Sequence, residues 1–264
     1  MLFLMPYTPY HGDHSPAFST AVLPNHGTLV KRLFIALFSC AAALTAAASH
    51  SQPVTPDSGL STTVAAIDPK WASSFAAFEQ ADKEKAPPPG GVLFVGSSSI
   101  RLWDGLETQF EAMPVVVKRG FGGSRMEDCK NYLGRLVVPY KPRLVIVYAG
   151  DNDLAEGRTP EQVMQSFSEF VKGVHTALPD TKIAYMSIKP SPARRGLLDK
   201  VRATNTLIEN YIASSSNIRY IDIFTPMLDA NGNPRTELFR EDALHLNTTG
   251  YALWKSVISA QMTK

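Results

Sequence analysis

From residue 92 onwards the chain alternates two kinds of hydrophobic pattern. Val92-Leu93-Phe94-Val95, Val115-Val116-Val117, Leu144-Val145-Ile146-Val147-Tyr148 and Ile183-Ala184-Tyr185-Met186 are apolar at every position, and 218–224 supplies a fifth run. Continuous rather than alternating runs predict parallel strands covered on both faces. Between them, 126–138, 160–178, 197–213 and 248–261 carry helical periodicity, and in the second of these Val163, Phe167, Phe170, Val171, Val174 and Leu178 form one stripe. No internal repeat is visible. Five successive βα units with right-handed crossovers predict an α/β fold: a doubly wound, flavodoxin-like three-layer sandwich around a five-stranded parallel sheet. In such folds ligands bind beyond the carboxyl ends of the strands, which is where chemistry is to be sought.

The folded domain is expected to cover 68–264. Asp68 can cap a helix with Pro69 at its first position, Trp71, Phe75 and Phe78 share one face, and Pro87-Pro88-Pro89-Gly90-Gly91 ends it. Residues 49–67, rich in Ser, Thr and Pro without periodicity, read as a flexible linker. Residues 1–48 read as an upstream extension and signal peptide. Lys31-Arg32 precede the apolar run 33–48, broken only by Ser39 and Thr45, and Ala46-Ala47-Ala48-Ser49 supplies small residues for cleavage. That run is short of the ~20 residues a spanning helix needs. Residues 1–29 match no functional element, so Leu29 or Val30 is the expected true beginning. The expected product is exported, periplasmic or extracellular. Leu37-Phe38-Ser39-Cys40 loosely resembles a lipoprotein cleavage box, which keeps lipid anchoring at Cys40 as a lesser alternative.

Composition narrows the partners. Hydrophobic residues make up 44% and charged residues 19%, the balance of an ordinary soluble domain. The formal net charge is +2 and no Lys/Arg stripe interleaves with aromatics, which argues against nucleic acid and for a small or neutral partner. Cleavage after Ala48 would remove Cys40 and leave Cys129 without an internal disulfide partner; Cys129 reads as a small apolar helix residue.

The predicted strand ends carry a distinctive set. Gly96-Ser97-Ser98-Ser99-Ile100 follows the first strand, Gly120-Phe121-Gly122-Gly123-Ser124 the second, and Gly150-Asp151-Asn152-Asp153 the third; beyond the fifth comes Asp242-Ala243-Leu244-His245. Of six histidines, His11, His14 and His26 precede the cleavage site and His50 lies in the linker. His175 falls within a helix beside its apolar stripe, as a surface or boundary residue. That leaves His245 as the candidate base, with Asp242 one turn away, near enough to fix its tautomer; an Asp capping a turn beside an incidental His is the plainer alternative. A Ser-rich loop can also cradle phosphate with backbone N–H groups, as in flavodoxin-like FMN binding. Such a site would account for Ser97, Ser98 and Ser99 but leave Asn152 and the Asp242/His245 pair without a role.

These segments resemble, in order, the blocks of the SGNH (GDSL-like) hydrolases, with Gly96-Ser97-Ser98-Ser99 as a variant of the first block. The resemblance spans roughly 90–262 by block position. It implies a serine esterase with Ser98 as nucleophile, His245 as general base and Asp242 as its orienting acid. It also implies an oxyanion hole made of the Ser98 and Gly123 backbone N–H groups and the Asn152 amide. Ser97 stands where the family commonly has Asp, so Ser97 and Ser99 stay open as alternative nucleophiles. Nothing in the set requires a metal or another cofactor, and Asp151 and Asp153 read as loop and cap residues. Lys189-Pro190-Ser191-Pro192 and 225–240 are expected to border the site. The absence of a long apolar lid between strands favours short-chain esters, with acetyl groups on glycans suggested by export. A non-catalytic ester or glycan binder on the same fold is the competing class.

Overall fold

The computed structural model describes residues 66–262, apart from 111 and 114. The expected signal peptide, Cys40 and most of the expected linker lie outside the described residues. The end of that linker is already packed: Ile67 is half-buried against the core, and the Tyr132 hydroxyl accepts from Asp68 N at 3.0 Å. Asp68 caps a 3-10 turn, Pro69–Trp71, by accepting from Lys70 N, and α1 (Ala72–Glu84) follows.

Five strands, β1 (Val92–Gly96), β2 (Val116–Gly120), β3 (Leu144–Tyr148), β4 (Lys182–Met186) and β5 (Ile218–Ile221), form one parallel sheet. Their order is β2-β1-β3-β4-β5, the doubly wound arrangement expected. Alternate strand residues feed two separate cores. Leu93, Val95, Val145, Val147 and Ile183 pack on one face against α1, α3 (Met126–Asn131), α6 (Pro160–Ala177) and α7 (Leu198–Ala213). Val92, Phe94, Ile146, Ala184 and Met186 pack on the other with Trp103 and with Trp254 and Ile258 of α8 (Thr248–Met262). Two apolar faces per strand explain why the runs do not alternate.

Three boundaries differ from expectation, each for a local reason. β2 continues through Lys118 and Arg119 because it is an edge strand with room for their polar ends. Lys118 Nζ donates to Trp103 O at 3.0 Å, and buried Arg119 is held by the Tyr140 hydroxyl and by Asp82 of α1. β5 stops at Ile221 because the Asp222 carboxylate accepts from Phe224 N and Thr225 N, turning the chain. The stretch 126–138 divides into α3, α4 (Leu133–Leu136) and a 3-10 turn, Val138–Tyr140, at Pro139, whose missing N–H cannot extend a helix.

Two short helices, α2 (Ser98–Arg101) and α5 (Asp151–Ala155), begin directly where β1 and β3 end. They are too short to show a period in sequence. β1 and β3 are neighbours whose connections leave to opposite faces, Ile100 and Trp103 into one core and the α6 stripe into the other. The gap between them is the topological switch point, where doubly wound sheets open a crevice. Among the described residues no helix is long and apolar enough to cross a membrane.

Candidate active site

Gly96 ends β1 with φ +149, and a Cβ there would lie 1.9 Å from Tyr148 O. Only glycine permits this approach of β1 to β3. Ser97 N then donates to Tyr148 O at 3.1 Å, and α2 starts at Ser98. Ser97 and Ser99 are fully buried and their hydroxyls meet no partner among the described residues. Ser98 is half-buried, and its Oγ lies 3.0 Å from His245 Nε2. Geometry thus sets Ser98 apart from its two neighbours. Burial at 97 also suits a neutral side chain, since a carboxylate there would need a partner.

His245 is presented by a loop closed by the Phe239–Leu246 bridge and by Arg240 N donating to His245 O at 2.8 Å. Asp242 Oδ1 accepts from the N–H groups of Leu244 and His245, both at 2.9 Å, while its Oδ2 lies 2.7 Å from His245 Nδ1. One carboxylate therefore caps the turn and holds the ring. Because an ionised carboxylate only accepts, Nδ1 carries the proton and Nε2 turns its lone pair to the Ser98 hydroxyl. Desolvation works to raise the Asp242 carboxyl, but the hydrogen bonds from His245 and from Leu244 N–H outweigh it and hold the group at about 2. His175 is a half-buried boundary residue whose Nε2 lies 3.1 Å from Thr181 O.

The N–H groups of Ser98 and Gly123 donate to no protein acceptor among the described residues. Gly123 is exposed with φ +73, and a Cβ there would meet nothing within 4 Å, so its glycine answers to backbone conformation rather than to crowding. Asn152 stands in the first turn of α5. Its Nδ2 donates to Ser124 O at 2.9 Å, which ties it to the Gly123 turn and leaves one amide hydrogen unused.

The two aspartates flanking Asn152 are neither loop residues nor caps of their own helix. Asp151 is buried, with Lys189 Nζ at 2.8 Å, Arg194 Nη1 at 3.3 Å and the Tyr148 hydroxyl at 3.3 Å. Lys189, expected on the rim, is itself buried by this pairing. Asp153 is buried and accepts from Met126 N at 3.0 Å, which caps α3 from across the fold. Burial pushes the Asp153 carboxyl up to about 6. A folded value above the unfolded one gives stability present below about pH 4 and lost as pH rises through 6. Asp153→Asn cannot ionise, so its stability relative to wild type should rise by about 3 kcal/mol between pH 4 and pH 7. Urea melts at both pH values would show it; equal slopes for the two proteins would mean that Asp153 does not titrate there.

Of 225–240, Arg240 braces the His245 loop through Arg240 N and through its Nε, which donates to Leu246 O at 2.9 Å. Arg194, whose Nη2 donates to Asn152 Oδ1 at 2.8 Å, was not singled out by sequence. Its only signal is the Arg194-Arg195 pair directly after the proline-bounded segment. Cys129 lies buried in α3, where burial pushes its thiol up and away from reactivity. Among the described residues no group of three or more His, Cys, Asp and Glu side chains is placed to share a metal ion.

Comparison with known proteins fits this geometry. The family model described as GDSL-like Lipase/Acylhydrolase matches residues 93–253. No curated protein sequence matches the chain. Among solved structures, a Bacteroides fragilis protein provisionally described as an acylhydrolase shares 18% identity at a TM-score of 0.63, covering 75% of this chain and 98% of its own. A GDSL-like lipase from Bacteroides thetaiotaomicron shares 20% at 0.60, covering 72% and 97%. A carbohydrate esterase family 3 protein from Talaromyces cellulolyticus shares 18% at 0.52, covering 66% and 96%. At these identities the likeness is one of fold, whereas the family match runs through every strand and every segment gathered at the switch point. The chain belongs to the GDSL-like lipase/acylhydrolase family and is, at that level, an ester hydrolase.

Proposed function

We propose that the protein is an exported serine esterase that cleaves short-chain carboxylic esters, acetyl groups on glycans among them, through an acyl-enzyme on Ser98. The observation that carries this is the unbroken line Asp242–His245–Ser98, with contacts of 2.7 and 3.0 Å, at the topological switch point. In the first step His245 Nε2 takes the Ser98 proton as Oγ adds to the ester carbonyl. Collapse of the tetrahedral intermediate expels the alkoxide, which takes that proton from His245. Water then repeats the sequence on the acyl-enzyme and releases the acid and free Ser98. The N–H groups of Ser98 and Gly123 and the spare hydrogen of Asn152 Nδ2 are the donors offered to the oxyanion. Gly123 and Asp242 are exposed and the His245 side chain is 23% exposed. An open site of this kind favours small acyl groups over a long chain that needs an enclosing wall. Export rests on the signal-peptide pattern in 1–48.

The test is hydrolysis of p-nitrophenyl esters of increasing acyl length by the purified protein. Acetate should turn over at least ten times faster than decanoate. A preference for decanoate would overturn the short-chain assignment, and no turnover of any ester would leave the fold serving to bind. Asn152→Ala should fold normally yet lose about 10²–10³ in kcat; full activity would remove it from the oxyanion hole.

A further inference from the structure

We infer that Arg194 is a positioning residue that locks the Asn152 carboxamide and sets a cation on its amide oxygen. The inference rests on the esterase function proposed above. Asn152 sits between two contacts, Nδ2 donating to Ser124 O at 2.9 Å and Oδ1 accepting from Arg194 Nη2 at 2.8 Å. A guanidinium has donors only, so the atom facing it must be the amide oxygen. A carbonyl oxygen only accepts, so the atom facing Ser124 must be the amide nitrogen. A flipped amide would set like against like at both ends. Of the two contacts, Arg194 is the stronger, being charged.

Arg194 is itself held in place. It lies in the 3-10 segment Pro192–Leu197, where Ala193 N donates to Ala243 O at 3.0 Å and Arg194 N to Ser191 O at 2.9 Å. The segment thus braces the Asp242/His245 turn as well as the amide. Behind Asn152, Arg194 Nη1 is 3.3 Å from Asp151, whose carboxylate also meets Lys189 at 2.8 Å. Lys189 and Arg194 share the Asp151 carboxylate, so Arg194 is not neutralised by it alone. A cation on the amide oxygen draws electron density from Nδ2–H and makes it a better donor to a developing oxyanion. Such an effect acts on the transition state more than on the bound ester, so it belongs in kcat rather than KM.

Two measurements test the inference. The first needs no turnover: the Asn152 side-chain amide resonances in a ¹⁵N–¹H spectrum, assigned by their loss in Asn152→Asp. In Arg194→Ala they should shift and exchange faster with water, and guanidinium ion should partly restore them. Unchanged resonances would overturn the locking role whether or not the protein hydrolyses esters. The second is a kinetic cycle with p-nitrophenyl acetate. Arg194→Ala should lower kcat roughly 10–100-fold with KM within about threefold, and Arg194→Lys should recover only part of it. In the Asn152→Ala background, removing Arg194 should cost at most about twofold more. An equal loss in both backgrounds would mean that Arg194 acts elsewhere. Absence of turnover in the wild type would count against the esterase function alone, with the spectrum still deciding the fate of Arg194.

Discussion

Replacing Ser98 or His245 with alanine should lower kcat for p-nitrophenyl acetate by about 10⁴–10⁶, and replacing both should cost little more than replacing either. The hydroxyl is a poor nucleophile until its proton has somewhere to go, and Nε2 at 3.0 Å is the one base within reach of Oγ among the described contacts. On the mechanism proposed above, no acyl-enzyme would form without Ser98, and without His245 the attack would leave its proton in place. Each loss disables the same step, hence the lack of additivity. Neither change should unfold the protein, because Ser98 at a helix start and His245 on its loop are both only half-buried. Asp242→Asn belongs to the same experiment. The carboxyl of Asp242 is held at about 2, below its unfolded value. It therefore stays charged throughout the working range, and the stability it contributes is present above about pH 4 and lost as pH falls from there through about 2. The neutral amide should accordingly cost rate across the whole working range. If Ser98→Ala keeps wild-type turnover while Ser97→Ala or Ser99→Ala loses it, the nucleophile is misassigned; if all three retain it, the chemistry lies elsewhere.

Much of this arrangement was legible in the chain because the relevant signals are local. A strand that is apolar at every position announces burial on both faces, and the glycines and serines directly after it mark the carboxyl edge. His245 stood out by subtraction, since the other histidines fall upstream or within a helix. What could not be read depends on pairings set by the fold. Lys189 sits in a Lys-Pro-Ser-Pro string that reads as exposed loop, and nothing nearby in sequence reveals that Asp151, 38 residues earlier, takes it into the interior. Arg194 and Asn152 are 42 residues apart and meet only because β3 and β4 are adjacent. The different burial of Ser97, Ser98 and Ser99 is likewise set by the fold, and a run of three identical residues cannot disclose it.

Lys189→Met should destabilise the protein by about 3 kcal/mol at pH 7. The side chain is nearly isosteric along its stem, so packing is kept while one charge is removed. Asp151 then remains buried, with only the 3.3 Å contact to Arg194 and the Tyr148 hydroxyl to compensate it. That residual partner places the cost at the low end for a broken buried pair. The dependence on pH should change sign. In the wild type, burial works to raise the Asp151 carboxyl, but the charges of Lys189 and Arg194 and the hydrogen bonds from Lys189 and Tyr148 outweigh it and hold it low. Stability from that pair is present above the unfolded value near 4 and is lost as pH falls through the folded one. Without Lys189 the burial penalty prevails, the folded value rises above the unfolded one, and stability at this site grows as pH falls from 7 towards 4. Adding Asp151→Asn to Lys189→Met should recover most of the loss at pH 7, because it removes the orphaned charge rather than restoring the pair. Urea melts of the three proteins at pH 4.5 and 7 decide the matter. A Lys189→Met variant with wild-type stability and an unchanged slope would mean that Asp151 is paired well enough by Arg194 alone. Loss at neutral pH with rescue by the second substitution would place Lys189 as the group that lets a carboxylate sit beside Asn152.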